Sequence, residues 1–93
     1  MQIVKSDKYL AQLKTIVRFI ALDSPSRARE FKKELAFKVK SLDNFPYKCR
    51  ASIHFNSKEI RDMIFHGYVI PYFIDTLNDR IIIIGITKYR DEI

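Results

Sequence analysis

The stretch that decides the fold runs from Glu59 to Arg90 and reads EIRDMIFHGYVIPYFIDTLNDRIIIIGITKYR. It predicts three consecutive strands, Glu59–Phe65, Tyr68–Asp75 and Arg80–Thr87, because β-branched and aromatic residues dominate each segment. The turns between them are His66-Gly67 and Thr76-Leu77-Asn78-Asp79. Three strands joined by short turns favour an antiparallel meander.

The third segment contains the run IIIIGI at 81–86 and has no polar face. A strand that is apolar on both sides is usually central in its sheet, so we expect Ile83 or Ile84 to be fully buried. The segment delivers Lys88-Tyr89-Arg90, two cations around a phenol, to its C-terminal end. In the strand before it, Pro71 cannot donate a ladder hydrogen bond, which implies an edge position or a bulge.

The composition is that of one small globular domain covering residues 1–93, with 47% hydrophobic and 30% charged residues. The lone Cys49 excludes an internal disulfide and is typical of a reducing cytoplasm, where we expect the protein to be located. A zinc site built on cysteine pairs is likewise excluded, and His54 and His66 alone make a poor metal set, so we expect neither a metal nor another cofactor. No run approaches the roughly 20 apolar residues of a membrane span, so no membrane partner is predicted.

The positive charge is concentrated in the first half of the chain. Residues 1–50 contain twelve Lys or Arg against five Asp or Glu, whereas residues 51–93 are close to neutral. A basic surface attracts nucleic acid or an acidic protein partner. The simpler interpretation is a solvated face of helical lysines, because a charge pattern alone does not identify a partner.

Two helices are predicted upstream of the strands. After a short first strand at Gln2–Lys5, a cap at Ser6 or Asp7 begins a helix that should end near Leu22. Ser24-Pro25 then combines a hydroxyl cap with proline at the first helical position, which starts a second helix running to about Leu42. Because the connection is so short, the two helices should form an antiparallel pair.

One face of the second helix suggests a contact with another chain. At about 100° per residue, Phe37 falls roughly opposite the apolar stripe. Arg29, Lys33 and Lys40 also lie away from that stripe, so we take these four residues as candidates for binding an acidic partner. The alternative is that Phe37 is an ordinary surface aromatic, or that the following loop covers it.

The connector between the second helix and the meander is less informative. Asn44, Pro46 and Asn56-Ser57 break regular structure within residues 43–57. The segment 51–55 is compatible with a short strand or a helical turn. His54 alternates with apolar neighbours, which favours a structural role for its side chain.

The order of elements and several short motifs point to a known family. The motifs are Tyr9-Leu10 with Leu13, Ile16 and Ile20; Ser24-Pro25-Ser26-Arg27-Ala28; Pro46; Ile60-Arg61-Asp62-Met63; Gly67-Tyr68-Val69-Ile70-Pro71-Tyr72; and the isoleucine run ending in Lys88-Tyr89-Arg90. In this layout the chain resembles the RelE/ParE superfamily of bacterial toxins from type II toxin–antitoxin systems. The resemblance covers nearly the whole chain. It implies an α+β domain in which an N-terminal strand joins a mainly antiparallel, twisted sheet and an antiparallel helical hairpin packs on that sheet.

Two positions depart from the family pattern. Val69 stands where the family has an arginine, and Pro71 replaces an aliphatic residue. In RelE-type members that arginine helps to hold the RNA phosphate at the cleavage site, so its absence argues against a RelE-like nuclease. The hairpin with its Ser24-Pro25 start is more similar to the ParE branch, whose members are known as inhibitors of DNA gyrase.

A RelE-like reaction would need a base, an acid and cations around the scissile phosphate, without a metal. Arg61 and Arg90 are the candidates to bind phosphate, because the guanidinium is planar and always charged. Lys88 or His66 would move protons, and Tyr89 would stack on a base or donate a proton. The alternative is that all five are solvated residues at strand ends, or a binding patch without catalysis.

Three functions therefore stay open from the sequence. The favoured one is a toxin that binds DNA gyrase and is not an enzyme, neutralised by a cognate acidic antitoxin in a hetero-oligomer. The second is a ribosome-dependent mRNA endonuclease. The third is a non-toxic basic RNA-binding module, which ranks last because most aromatic residues have core spacing.

Overall fold

A computed structural model describes residues 1–53 and 55–88. In chain order the elements are β1 (Gln2–Lys5), α1 (Asp7–Asp23), α2 (Pro25–Ser41), β2 (Arg50–Ala51), β3 (Ile60–Phe65), β4 (Tyr68–Asp75), β5 (Arg80–Ile83) and β6 (Thr87–Lys88). The strands form one sheet in the order β1-β5-β4-β3-β2, with β6 also paired to β4. This arrangement confirms the predicted α+β fold.

Serine caps set the limits of the helical hairpin. Ser6 Oγ accepts a hydrogen bond from the backbone N–H of Tyr9 at 3.0 Å and so begins α1. Ser24 is the single residue between the helices: its N–H donates to the carbonyl of Ile20, and its Oγ accepts from the N–H of Arg27 at 3.2 Å. One residue thus ends α1 and begins α2, as its hydroxyl followed by proline predicted.

The core lies between the hairpin and one face of the sheet. The apolar stripe of α2 is buried along its whole length: Ala28, Phe31, Leu35, Val39 and Leu42. It packs with residues of the central strands, among them Tyr72, Ile81 and Ile83. Ile83 is fully buried, which confirms the prediction for the isoleucine run, whereas Ile84 is only half-buried.

The pairing of β1 answers a question that the sequence left open. β1 runs parallel to β5, with Gln2 opposite Arg80 and Lys5 opposite Ile83. β3, β4 and β5 form the predicted antiparallel meander. Because β1 covers one edge of β5 and β4 covers the other, the isoleucine run is an interior strand.

The predicted strand Arg80–Thr87 is wrong as a continuous element. Tyr72 pairs with Ile83, and Val69 pairs with Thr87. Between these two pairs β4 has two residues, 70 and 71, whereas the opposing chain has three, 84–86. One extra residue on one strand is a β-bulge. The break separates β5 from β6.

Pro71 explains where this bulge lies. Its carbonyl accepts a hydrogen bond from the N–H of Ile84 at 2.9 Å, but it has no N–H to return to the carbonyl of Ile84. The hydroxyl of Ser6 donates to that carbonyl instead, at 2.9 Å. Pro71 is thus in an interior strand, so the predicted edge position is wrong and the predicted bulge is confirmed.

Helix α1 also stabilises the far side of the bulge. The side-chain oxygen Oε1 of Gln12 accepts a hydrogen bond from the N–H of Ile86 at 2.9 Å. A Cβ atom at Gly85 would lie 2.7 Å from that same oxygen, so glycine leaves room for the contact. Ser6 and Gln12 therefore replace ladder hydrogen bonds that the bulge removes.

The connector contributes an edge strand to the sheet. Arg50 and Ala51 of β2 pair with Asp62 and Arg61, and the N–H of Ser52 donates to the carbonyl of Ile60 at 2.8 Å. Of the segment 51–55, for which a short strand or a helical turn was predicted, Ala51 is in a strand. His54 lies outside the described residues. In the described ranges, no helix combines the length and apolar character needed to cross a membrane.

Candidate functional site

Arg61 connects the sheet to the connector. Its Nε donates to the carbonyl of Lys58 at 2.9 Å, and its Nη1 donates to the carbonyl of Cys49 at 3.1 Å. The guanidinium carbon lies 4.8 Å from the centre of the Tyr47 ring, within cation–π range. Two of the donor nitrogens of Arg61 are thus already used within the protein.

Tyr72 provides a second attachment for the same connector. Its hydroxyl donates to the carbonyl of Pro46 at 2.6 Å. Burial raises the pKa of the Tyr72 hydroxyl, and the neighbouring Cys49 raises it further. The group therefore stays protonated at neutral pH and remains a hydrogen-bond donor. Arg61 and Tyr72 together hold the loop after α2 on the sheet.

We predict that Arg61→Ala will lower the stability of the fold, because Arg61 holds the connector on the sheet. Losing its hydrogen bonds to backbone carbonyls should reduce the free energy of unfolding by about 1–3 kcal/mol, measured by urea denaturation. Lys88→Ala is the matched control, with an expected change within about 0.5 kcal/mol because the side chain is exposed. An Arg61→Ala variant as stable as the wild type would contradict the structural role.

His66 links the β3–β4 turn to α2. It occupies a left-handed backbone conformation, with φ of 48°, followed by Gly67 with φ of 81°. Its Nε2 lies 2.9 Å from Oε1 of Glu34, and its ring packs edge-on against Phe65 at 4.4 Å between centroids. The imidazole therefore has a partner on a neighbouring element.

The other basic candidates lie near the end of β6. Lys88 pairs with Tyr68, and its Nζ lies 5.7 Å from the centre of the Tyr68 ring. Tyr89 and Arg90 fall outside the described residues.

The structure does not bring Arg61 and Lys88 to one point. Arg61 pairs with Tyr72 and Lys88 pairs with Tyr68, on opposite sides of β4. Four residues along a strand correspond to about 13 Å, to which two strand spacings add further separation. His66 is closer to Lys88 along β4 than Arg61 is. In the described conformation Arg61 contacts the connector carbonyls and Lys88 lies beside the Tyr68 ring, so the two side chains do not converge.

Phe37 is 74% exposed, as the helical spacing predicted. It lines a groove of about 650 Å³, the Phe37 groove, whose other members are Glu30, Lys33, Glu34, Lys38, Ile64, Phe65 and His66. Of the four predicted partner-binding residues, Phe37 and Lys33 line this groove. Arg29 and Lys40 are exposed on α2 but do not contribute to its lining.

A second, larger cleft of about 830 Å³ lies between the hairpin and the β3–β4 turn. We call it the hairpin cleft; its apolar surface includes Phe19 and Leu22 at the end of α1, together with Phe31 and Tyr68. Phe19 and Leu22 are 70% and 86% exposed. The hydrogen-bonding contact between His66 and Glu34 belongs to both clefts and forms the ridge between them.

The same chain matches the family model described as "ParE toxin of type II toxin-antitoxin system, parDE" over residues 3–92. The chain belongs to the ParE toxin family. A solved structure titled "Chromosomal ParDE TA system from P. aeruginosa" contains a chain with the same fold, at a TM-score of 0.76 and 18% sequence identity, with 97% of each chain covered. No curated protein sequence matches the chain.

Sequence reasoning missed the hairpin cleft of this ParE-family chain. Phe19 and Leu22 lie outside the apolar stripe of α1, which is formed by Leu13, Ile16, Val17 and Ile20. Two large apolar residues outside that stripe were the sequence signal for an exposed apolar surface. Within residues 1–53 and 55–88 no cluster of His, Cys, Asp and Glu could hold a metal ion.

Proposed function

We propose that this protein inhibits growth by binding DNA gyrase and that a cognate acidic antitoxin neutralises it. The observation that carries the proposal is the match to the ParE toxin family over residues 3–92. The contacts of the candidate catalytic residues support binding without turnover. Arg61 holds the connector, His66 pairs with Glu34, and Arg61 and Lys88 do not converge.

Val69 adds a second argument. It stands where RelE-like nucleases carry a phosphate-holding arginine, and its side chain is buried in β4. Losing one preorganised group of this kind typically costs about 2.7–4 kcal/mol of transition-state stabilisation.

The antitoxin is proposed to contact the exposed side of α2. Arg29, Lys33 and Lys40 would attract an acidic segment, while Phe37 and Ile64 in the groove would accept its apolar side chains. A segment that is disordered when free could wrap the helices and sheet and order on binding.

The test follows mRNA and DNA together after induced expression. We expect purified protein to inhibit supercoiling by gyrase, and primer extension to show intact cellular mRNA. Lys88→Ala should retain this inhibition, because Lys88 is not expected to catalyse a reaction. Codon-aligned mRNA cuts that precede any DNA damage response, and that disappear in Arg90→Ala, would instead establish a RelE-like endonuclease.

A further inference from the structure

We infer that the hairpin cleft binds a segment of the target protein in which apolar side chains are flanked by lysine or arginine. The inference rests on the proposed function, because it assigns the cleft to the target of the toxin and not to the acidic antitoxin. The hairpin cleft does not include Arg29 or Lys40, the cations of α2 that are proposed to attract the antitoxin.

The apolar part of the cleft is well developed. Phe31 is buried and contacts Tyr68, with ring centroids 5.6 Å apart, and these two packed rings line the inner part of the cleft. Phe19 and Leu22 stand at the rim, where their side chains are mostly exposed to solvent. Contiguous exposed apolar surface beside a concave site of this size is typical of a binding site.

The charges around the cleft have the opposite sign to the rest of the molecule. Among the described residues, its lining carries Asp23, Glu30 and Glu34 against the permanently charged cation Arg27, on a chain whose formal net charge is +6. Arg27 is paired with Asp23. Glu34 is paired with His66.

Glu30 is therefore the acidic group that a ligand could engage. It makes no ion pair within the described residues and lies on the lining of both clefts. An acidic ligand segment would be repelled here, whereas a lysine or arginine beside apolar side chains would be attracted. A second copy of this chain is also disfavoured, since a symmetric contact would place the same carboxylates against each other.

The Phe37 groove differs in this respect. Its lining balances Glu30 and Glu34 with Lys33 and Lys38, and Arg29 and Lys40 lie nearby on the same helix. An acidic antitoxin is thus better accommodated there. Because the two sites share the His66–Glu34 ridge, an antitoxin in the Phe37 groove would crowd a target segment in the hairpin cleft. This arrangement provides a physical route to neutralisation.

The chemistry of the cleft can be tested with model peptides. Two fluorescein-labelled amphipathic helical peptides are used as probes, one of leucine and lysine and the other with glutamate in place of every lysine. At 0.15 M salt we expect fluorescence anisotropy to show at least tenfold tighter binding of the lysine peptide.

Three variants locate the binding of these probes. Phe19→Gln combined with Leu22→Gln should abolish binding, and Glu30→Gln should reduce the preference for lysine. Leu77→Gln is the matched control, because Leu77 is 95% exposed in a distant turn. Equal binding of both peptides, or binding that survives the Phe19/Leu22 double change, would overturn the inference.

Growth and antitoxin binding identify the occupant. The Phe19/Leu22 double variant, checked for an unchanged melting temperature, should no longer arrest growth but should bind the antitoxin as the wild type does. Retained growth arrest, or loss of antitoxin affinity, would overturn the assignment to the target. If the wild type itself did not arrest growth, the proposed function and the target assignment would fail together, and the peptide result would still decide the ligand chemistry of the cleft.

Discussion

Replacing Ile83 with aspartate should prevent the sheet from forming or lower the free energy of unfolding by several kcal/mol. Ile83 is 0% exposed in the interior strand β5, so an aspartate there would be a buried charge without a partner. Far-ultraviolet circular dichroism and urea denaturation measure the effect.

Because the aspartate variant could fail to fold, Ile83→Ala supplies a measurable version. Removing these buried methyl groups should cost about 2–5 kcal/mol, since the surrounding core closes the cavity only in part. Ile82→Ala is the matched control on the same strand: its side chain is half-buried on the opposite face, and its loss should be clearly smaller. Equal losses at the two positions would contradict the interior position of β5.

Reversing the charge and polarity of the α2 surface should strongly weaken the complex with the antitoxin. Phe37→Glu combined with Lys40→Glu replaces an exposed aromatic anchor and a cation by two carboxylates, and an acidic partner would be repelled. Aromatic residues at the centre of an interface often contribute 2 kcal/mol or more, which predicts a loss of at least about 30-fold in affinity.

Isothermal titration with the cognate antitoxin measures this loss. The matched control is Leu77→Glu with Lys58→Glu, which makes the same chemical changes at two exposed positions of the β-sheet loops. If both double variants lost affinity equally, net charge alone would control binding. Unchanged affinity of the Phe37/Lys40 variant would place the antitoxin on another surface.

The parts of the fold that local chemistry specifies could be predicted from the sequence. Ser6 and Ser24 cap helices through hydrogen bonds to residues three positions away, and the short turn at His66-Gly67 adopts positive φ angles. Such contacts join residues that are close in the sequence, so the residue types at neighbouring positions predict them. The limits of β4, from Tyr68 to Asp75, were predicted without error for the same reason.

The parts that depend on distant residues could not be predicted in full. The isoleucine run indicated one strand, but the missing N–H of Pro71 on the neighbouring strand interrupts its pairing. The replacement donors and acceptors, Ser6 and Gln12, are supplied by α1 and its cap. Pro71 indicated that a disturbance had to exist, but only the assembled sheet shows which residues compensate for it.

The candidate site shows the same limit. Sequence spacing correctly placed Phe37 on the solvent side of α2, because helical periodicity is a local property. It could not show that Arg61 is committed to the carbonyls of the connector, or that Glu34 pairs with His66 from another element. The contacts of these two side chains therefore depend on the assembled fold and leave no pattern in the sequence.

The parallel pairing of β1 with β5 makes completion of the fold a late event in synthesis. Ser6, directly after β1, hydrogen-bonds to Ile84, which is 78 positions away in the chain. Contacts between such distant residues slow folding, because a long loop must close before the contact can form. During translation, β1 and both helices leave the ribosome before the strand that β1 pairs with has been made. A chain that lacks residues 80–83 would have no partner for β1, so the toxin fold can be completed only after these residues have been synthesised.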